Sequence, residues 1–403
     1  MTTEILIMNR NTISMATDSA VTVEDKKAYN GVNKLFMLSN NPPMGIMIYG
    51  NANLMGVPIE TIIKEFRRKY SKNSFKTVKE FMDAFLCFME ITVCNKSNPK
   101  EFFKSFIQQF EKDFYDEISK IGPNEAFKRL NEKTKGIEKN LYGVISTQDF
   151  KDNCYIFDNI IKKKFKHFID NKKIKLKNIL IKYFLMKLIG SSTGIVIAGF
   201  NEEDLFPSYS KIELLVLLDE NLKCINFEEE TNFQGALIKP FAIKDVIETF
   251  LQGIDTQMKL GIEKFIENNF KLYPEIILNY LLQEQIIDEK THNKSKNALK
   301  DINPEKQVSQ FFNETMENIN RESVKPILES ISVLPKEELS NMSESLIHIT
   351  SLKTKIGNDL ESVGGDVDVA IITKGDGFIW TKRKHYFNPE LNSQFFERKK
   401  IFK

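Results

Sequence analysis

The sequence predicts an α+β chain built as a four-layer αββα sandwich, two antiparallel sheets packed face to face with helices outside, carrying large helical insertions. Three observations lead there. Short apolar runs of strand type cluster at the N-terminus, around residues 193–227 and near the C-terminus, with connections too short for parallel crossovers. Long stretches of helical period lie between them. Each helix needs a sheet face against which to bury its apolar stripe, and helices outside two facing sheets meet that need.

The elements follow in order. EILIMN, TISMATDSAV after the NRN turn, NKLFML, and GIMIYG after the NNPP breaker read as four short strands of one antiparallel sheet. From PIETIIKEFRRKY the period turns helical, with Ile59, Ile62, Ile63 and Phe66 on one stripe, and helical patterning continues to about residue 189. GIVIAGF, KIELLVLLD and LKCINFE form a second strand group, the last two joined as a hairpin. AIKDVIETFLQGIDTQMKLGIEKFIENNF reads as two helices broken near Gly253, residues 285–310 as a polar loop, and KEELSNMSESLIHITSLKTKIGNDL as a helix. DVDVAIITK, GDG and FIWTK close the chain as a hairpin.

Composition narrows the function classes. The chain has 403 residues, 41% hydrophobic and 28% charged, with a net charge of +2, enough for a sizeable core and without the excess basicity of a nucleic-acid binder. Its longest apolar runs, such as GIVIAGF, fall far short of the roughly 20 residues a membrane span needs. No basic segment leading into a long apolar one opens the chain, so a cytoplasmic location is expected. Cys87, Cys94, Cys154 and Cys224 are scattered and read as free buried thiols. His167, His292, His348 and His385 are equally dispersed, so a catalytic base must come from a carboxylate, a lysine or an amine, and no metal or cofactor is expected.

Such an amine is available behind Met1. Initiator methionine is removed when the next side chain is small, which would leave Thr2 carrying a hydroxyl and a free amine on one residue. Asp18 follows Thr2 by sixteen residues, Lys34 follows Asp18 by sixteen, and Thr22 lies four past Asp18. In this register the chain resembles the active subunits of the proteasome and the related peptidase of bacterial ATP-dependent proteases, members of the N-terminal-nucleophile hydrolases. The resemblance implies their αββα fold and a threonine peptidase site. Thr2 would be nucleophile and base, Asp18 would orient Lys34, and Thr22 would align the substrate backbone. IMIYGNANLMG resembles the family strand that ends in glycine, which would put the Gly50 N–H at the oxyanion position. NDLESVGGDVDVAIITKGDGFIW resembles the family's Asp-x-x-Ser-Gly turn and last hairpin, making Asp359 and Ser362 supports for the terminal amine.

The chain departs from the family pattern as well. Val363 is inserted before Gly364, Ala20 stands where many members have arginine, and NFQGALIKPFAIKDVIETF lacks the serine expected near the amine. Residues 1–70, 191–261 and 336–385 make up the core under this reading, 71–190 and 262–335 are helical insertions, and 386–403 is a basic, aromatic arm. The implied partners are a peptide or protein substrate, further copies of the chain in a ring, and a separate ATP-dependent unfoldase, since no phosphate-binding loop is present. Two alternatives stand beside the peptidase: an inactive proteasome-like subunit that binds or scaffolds, and an amidase for a small non-peptide substrate.

The chemistry has its own logic. A threonine hydroxyl is a poor nucleophile unless a base takes its proton, and an α-amine, with a reference pKa of about 7.7–8.0, suits that task near neutral pH. A nearby lysine would keep the amine deprotonated, and an aspartate would balance the lysine. Taken singly, each residue also has an ordinary explanation: Asp18 as a turn residue, Lys34 as a solvated strand lysine, Gly50 as a strand end, and Asp359 and Ser362 as caps. The lysine-rich segment at 157–189 reads mainly as the solvated face of core helices, with a membrane surface, a partner or nucleic acid as the other openings.

Overall fold

The computed structural model describes residues 2–23, 27–70, 75–134, 154–166, 170–218, 221–231, 233–300, 305–357, 363–385, 387–394 and 397. The chain opens with β1 (Thr3–Met8) and β2 (Thr12–Thr17), a small hairpin of β3 (Val21–Val23) and β4 (Lys27–Tyr29), then β5 (Leu35–Asn40) and β6 (Pro43–Gly50). The short pair β7 (Asn53–Leu54) and β8 (Val57–Pro58) leads into α1 (Ile59–Tyr70). Helices α2 (Val78–Lys96), α3 (Pro99–Ile121), α4 (Pro123–Lys133), α5 (Cys154–Lys164) and α6 (Asp170–Gly190) follow. Strands β9 (Thr193–Gly199), β10 (Ser208–Leu218), β11 (Asn221–Glu230) and β12 (Leu237–Ala242) come next. The remainder is α7 (Asp245–Gln252), α8 (Thr256–Gln283), α9 (Glu289–Lys300), α10 (Glu305–Ile319), α11 (Lys325–Val333), α12 (Lys336–Ile356), β13 (Asp368–Thr373) and β14 (Gly377–Lys382).

Among the described residues the long strands form two five-stranded sheets, ordered β12-β1-β2-β13-β14 and β11-β10-β9-β6-β5, and every pairing is antiparallel. The first four predicted strands are therefore divided between two sheets and do not form one meander. β1 and β2 pair with each other and with the distant β12 and β13, while β5 and β6 join β9. Propensity and turn signals report strand formation; partner choice depends on which faces find cover.

Three apolar clusters account for the packing. Leu6, Met8, Ile13 and Met15 from the first sheet meet Met47, Val196, Ala198 and Tyr209 from the second. On its other face the first sheet buries Ile5, Ile7 and Val369 against Ile247, Ile331, Leu339 and Ile347 of α7, α11 and α12. The second sheet turns Ile46, Ile48, Ile195 and Ile197 toward α1–α6. The two sheets approach closely at Gly45, where a Cβ would lie 2.6 Å from the Met15 sulfur and 3.0 Å from both Ile372 and Phe378. The lysine-rich segment supplies Phe157, Ile160, Leu176, Leu180 and Phe184 to the helix-covered core.

Two sequence expectations are corrected, and one strand is added. Residues 285–310 do not form a loop: α9 and the first part of α10 lie there, α9 being started by the Asp288 side chain accepting the Thr291 N–H at 2.9 Å and tied to α8 by His292–Asn279 and Lys296–Glu275 contacts. Polar helices of this kind lack the apolar period that a sequence reading relies on. β12 has no counterpart among the strands read from the sequence; its Pro240 lies on an edge strand, where a missing N–H costs no ladder bond. Finally, Cys87 is exposed and Cys94 and Cys224 are half-buried, so these three thiols are not enclosed in the core.

Candidate active site

Thr2 directly precedes β1, Asp18 directly follows β2, and Lys34 directly precedes β5, so three strand ends from two sheets converge. The Lys34 ammonium donates to Thr2 Oγ1 at 3.0 Å, Asp18 Oδ1 at 2.6 Å and the Ala20 carbonyl at 2.5 Å. An ammonium has three protons and here meets three acceptors, which orients it. The lysine and aspartate side chains are only 5% and 1% exposed, so solvent screens the pair little. Because the Ala20 contact is to backbone oxygen, the departure from arginine at that position leaves the acceptor in place.

Asp18 is held by the backbone. Oδ1 also accepts the Thr3 N–H at 3.2 Å, and Oδ2 accepts those of Ala20 at 3.3 Å and Gly364 at 3.1 Å. The Ser19 N–H donates to the Gly364 carbonyl at 3.2 Å, which ties the segment ahead of β13 to the start of the chain. Gly364 and Gly365 both have positive φ, and a Cβ on Gly365 would come within 2.4 Å of Ser19 Oγ. The tight turn therefore needs glycine there.

A second buried charge group adjoins the first and was missed in the sequence. Asp368 accepts from the Lys384 backbone N–H at 2.8 Å, from the Lys384 ammonium, and from Arg383 at 3.3 Å. Arg383 also donates to the Leu35 carbonyl at 3.1 Å and Asn33 Oδ1 at 3.4 Å, bracketing Lys34 on both sides. Its guanidinium lies 4.0 Å over the Trp380 ring. Burial pulls Lys384 below the usual lysine range; Asp368 opposes this, while Arg383 and Lys34 reinforce it. In the sequence TKRKHYF looks like the start of a solvated basic tail, and only the hairpin register turns Arg383 and Lys384 inward.

The other predicted residues fare differently. Gly50 ends β6 at φ +81°, opposite Thr193, and a Cβ there would sit 2.3 Å from the Ser192 carbonyl oxygen. Its oxyanion role rests on the resemblance. Thr22 lies in β3, paired with Ala28. Asp359 and Ser362 lie outside the described residues, as does Met1.

Compared with known proteins, the chain matches no family model and no curated protein. Solved structures similar to it include Anbu (ancestral beta-subunit) from Yersinia bercovieri, 8% identical, covering 99% of this chain and 96% of that one with a TM-score of 0.36. The Anbu complex from Pseudomonas aeruginosa, described as a helical assembly, is 7% identical over 99% and 95% of the two chains, with a TM-score of 0.35. An Anbu Gly-1 mutant from Hyphomicrobium sp. strain MC1 is 9% identical over 100% and 97%, with a TM-score of 0.33. At these scores the likeness says nothing about the site.

Proposed function

We propose that this chain is a proteasome-like N-terminal-threonine hydrolase that cleaves peptide or other amide bonds through Thr2 once Met1 has been removed. The observation that carries the reading is the Lys34 ammonium shared among Thr2 Oγ1, Asp18 Oδ1 and the Ala20 carbonyl. In the proposed reaction the Thr2 α-amine takes the hydroxyl proton while Oγ1 bonds to the substrate carbonyl carbon. Lys34 favours the developing alkoxide and the neutral amine, and the Gly50 N–H would meet the oxyanion. The tetrahedral intermediate expels the amine leaving group, which receives the proton from the α-ammonium. Water, deprotonated by the same amine, then hydrolyses the ester.

Under this reading the two facing sheets are the αββα sandwich of the N-terminal-nucleophile hydrolases, made of residues 1–70, 191–261 and 336–385. The segments 71–190 and 262–335 are insertions, and 386–403 is an arm. Asp359 and Ser362 would support the amine and Thr22 the substrate backbone. The protein would work in the cytoplasm as a homo-oligomeric ring supplied by a separate unfoldase. No helix among the described residues is long and apolar enough to cross a membrane.

The test is intact mass before and after exposure to a peptidyl electrophile whose adduct requires a terminal hydroxyl and amine together, with Thr2→Ala as control. Loss of Met1 and a single adduct that needs Thr2 support the hydrolase. Retained Met1, or a processed Thr2 that forms no adduct, overturns it and favours the non-catalytic scaffold.

A further inference from the structure

A third acid lies at the site without a role in the proposed reaction. Strand alternation puts Thr2, Glu4, Leu6 and Met8 on the face of β1 that meets the second sheet, where Leu6 and Met8 join the inter-sheet core. Glu4 is fully buried, and neither carboxyl oxygen has a hydrogen-bond partner among the described residues. Its cross-strand neighbour Thr17 is buried with an equally unpartnered hydroxyl. A buried carboxylate lacking any donor is strongly disfavoured, whereas the neutral acid is tolerated.

The surrounding charges act on Glu4 in both directions, and burial outweighs them. Asp18 lies one residue past Thr17, and Asp368 pairs with Thr17 from β13. Lys34 comes from the second sheet, while Arg383 and Lys384 follow β14. Three cations thus face two anions, leaving one positive charge around Thr2 when Glu4 is neutral. From β10, Lys211 and Glu213 pair with each other at 3.1 Å, and Tyr49 of β6 donates its hydroxyl to Glu213 at 3.1 Å. Burial pushes Glu4 well above the usual carboxylate range; Lys34 opposes the shift and Asp18 adds to it.

Resting on the hydrolase reading, we infer that Glu4 is a positioning residue for the Thr2–Lys34 pair: as a neutral acid it leaves the three Lys34 protons to Thr2, Asp18 and Ala20, and once ionised it draws Lys34 away from Thr2. A carboxylate two residues from the nucleophile would also set a negative charge beside the developing alkoxide. Such a role explains why a strand otherwise suited to apolar residues carries an acid at its second position, beneath the nucleophile.

The experiment measures the rate of Thr2-dependent adduct formation against pH in the wild type and in Glu4→Gln, which keeps the shape and cannot ionise. The wild-type rate is expected to rise as the amine deprotonates and then fall about tenfold on the alkaline side; Glu4→Gln is expected to rise without the fall. A wild type with no alkaline fall, or a variant that retains it, overturns the inference. Infrared difference spectra supply an independent reading. The carbonyl band of a protonated carboxylic acid should be present at neutral pH, absent in Glu4→Gln, and lost over the same alkaline interval. No such band at neutral pH overturns the inference even if Glu4→Gln does not fold. Should no adduct form at any pH, the hydrolase reading fails, and the coupling is read from the Lys34 15Nζ resonance in labelled protein. A shift that follows the infrared titration and vanishes in Glu4→Gln upholds the Glu4–Lys34 link; a resonance blind to Glu4 refutes it.

Discussion

Breaking the Lys34–Asp18 pair from each side tests the site without assuming any activity. Lys34→Met removes a cation whose nitrogen lies 2.6 Å from Asp18 Oδ1 and orphans the Ala20 carbonyl. Asp18 keeps three backbone donors, from Thr3, Ala20 and Gly364, so its stranded charge remains partly solvated and the loss should be about 3 kcal/mol. Asp18→Asn should cost more, about 4 kcal/mol, because the ammonium is left uncompensated near Lys384 and an amide NH2 must face backbone N–H donors. The double variant strands no charge and should lose about 4–5 kcal/mol rather than the roughly 7 expected for independent sites, a coupling of about 2–3 kcal/mol. Guanidinium unfolding can be followed by circular dichroism and by fluorescence of Trp380, the one tryptophan, which lies beneath Arg383 at the edge of the same charge group. Single variants costing under about 1 kcal/mol, or strictly additive losses, would refute a buried ion pair joining the two sheets at Thr2.

Three further outcomes follow from the structure. Gly45→Ala crowds Met15, Ile372 and Phe378 across the inter-sheet space; about 1–3 kcal/mol of destabilisation is expected, and an unchanged unfolding midpoint would mean the sheets do not meet there. Glu4 has its folded pKa raised, so its favourable contribution is complete below the unfolded value of about 4.3 and is lost as pH rises toward the folded value. Unfolding midpoints of Glu4→Gln should therefore gain on the wild type as pH increases from 4, and a pH-independent gap would contradict the burial. Arg383→Met removes the donors to Leu35 and Asn33 on either side of Lys34. It should lower the rate of adduct formation at Thr2 about tenfold or more while costing about 1–3 kcal/mol of stability, and equal rates would show that Lys34 holds its position unaided.

Local pattern carried much of the secondary structure. The stripe Ile59, Ile62, Ile63 and Phe66 needs only a 3.6-residue period to be recognised, and all four are buried in α1. The break at Gly253 is equally local, because its φ of +71° caps α7 with a conformation glycine adopts freely. The spacing of Thr2, Asp18 and Lys34 was readable through its resemblance to a known family; the β1–β2 pairing brings Thr2 and Asp18 together, while Lys34 reaches them from the second sheet. What remained hidden was non-local. β12 pairs with β1 from more than 200 residues away, and the polar α9 is held by His292 and Lys296 contacts to α8 rather than by an apolar stripe.

By itself the sequence determined which segments alternate with a period of two, which repeat at 3.6, and which three side chains near the N-terminus share a spacing, because each of these depends on residues close in the chain. The tertiary structure decided how the strands divide between two sheets, why Asp18 is gripped by Gly364 from the far end of the chain, and how Arg383 and Lys384 turn inward beside Lys34. Those outcomes rest on long-range pairing and burial, which set the charge around Thr2 through groups more than 300 residues away.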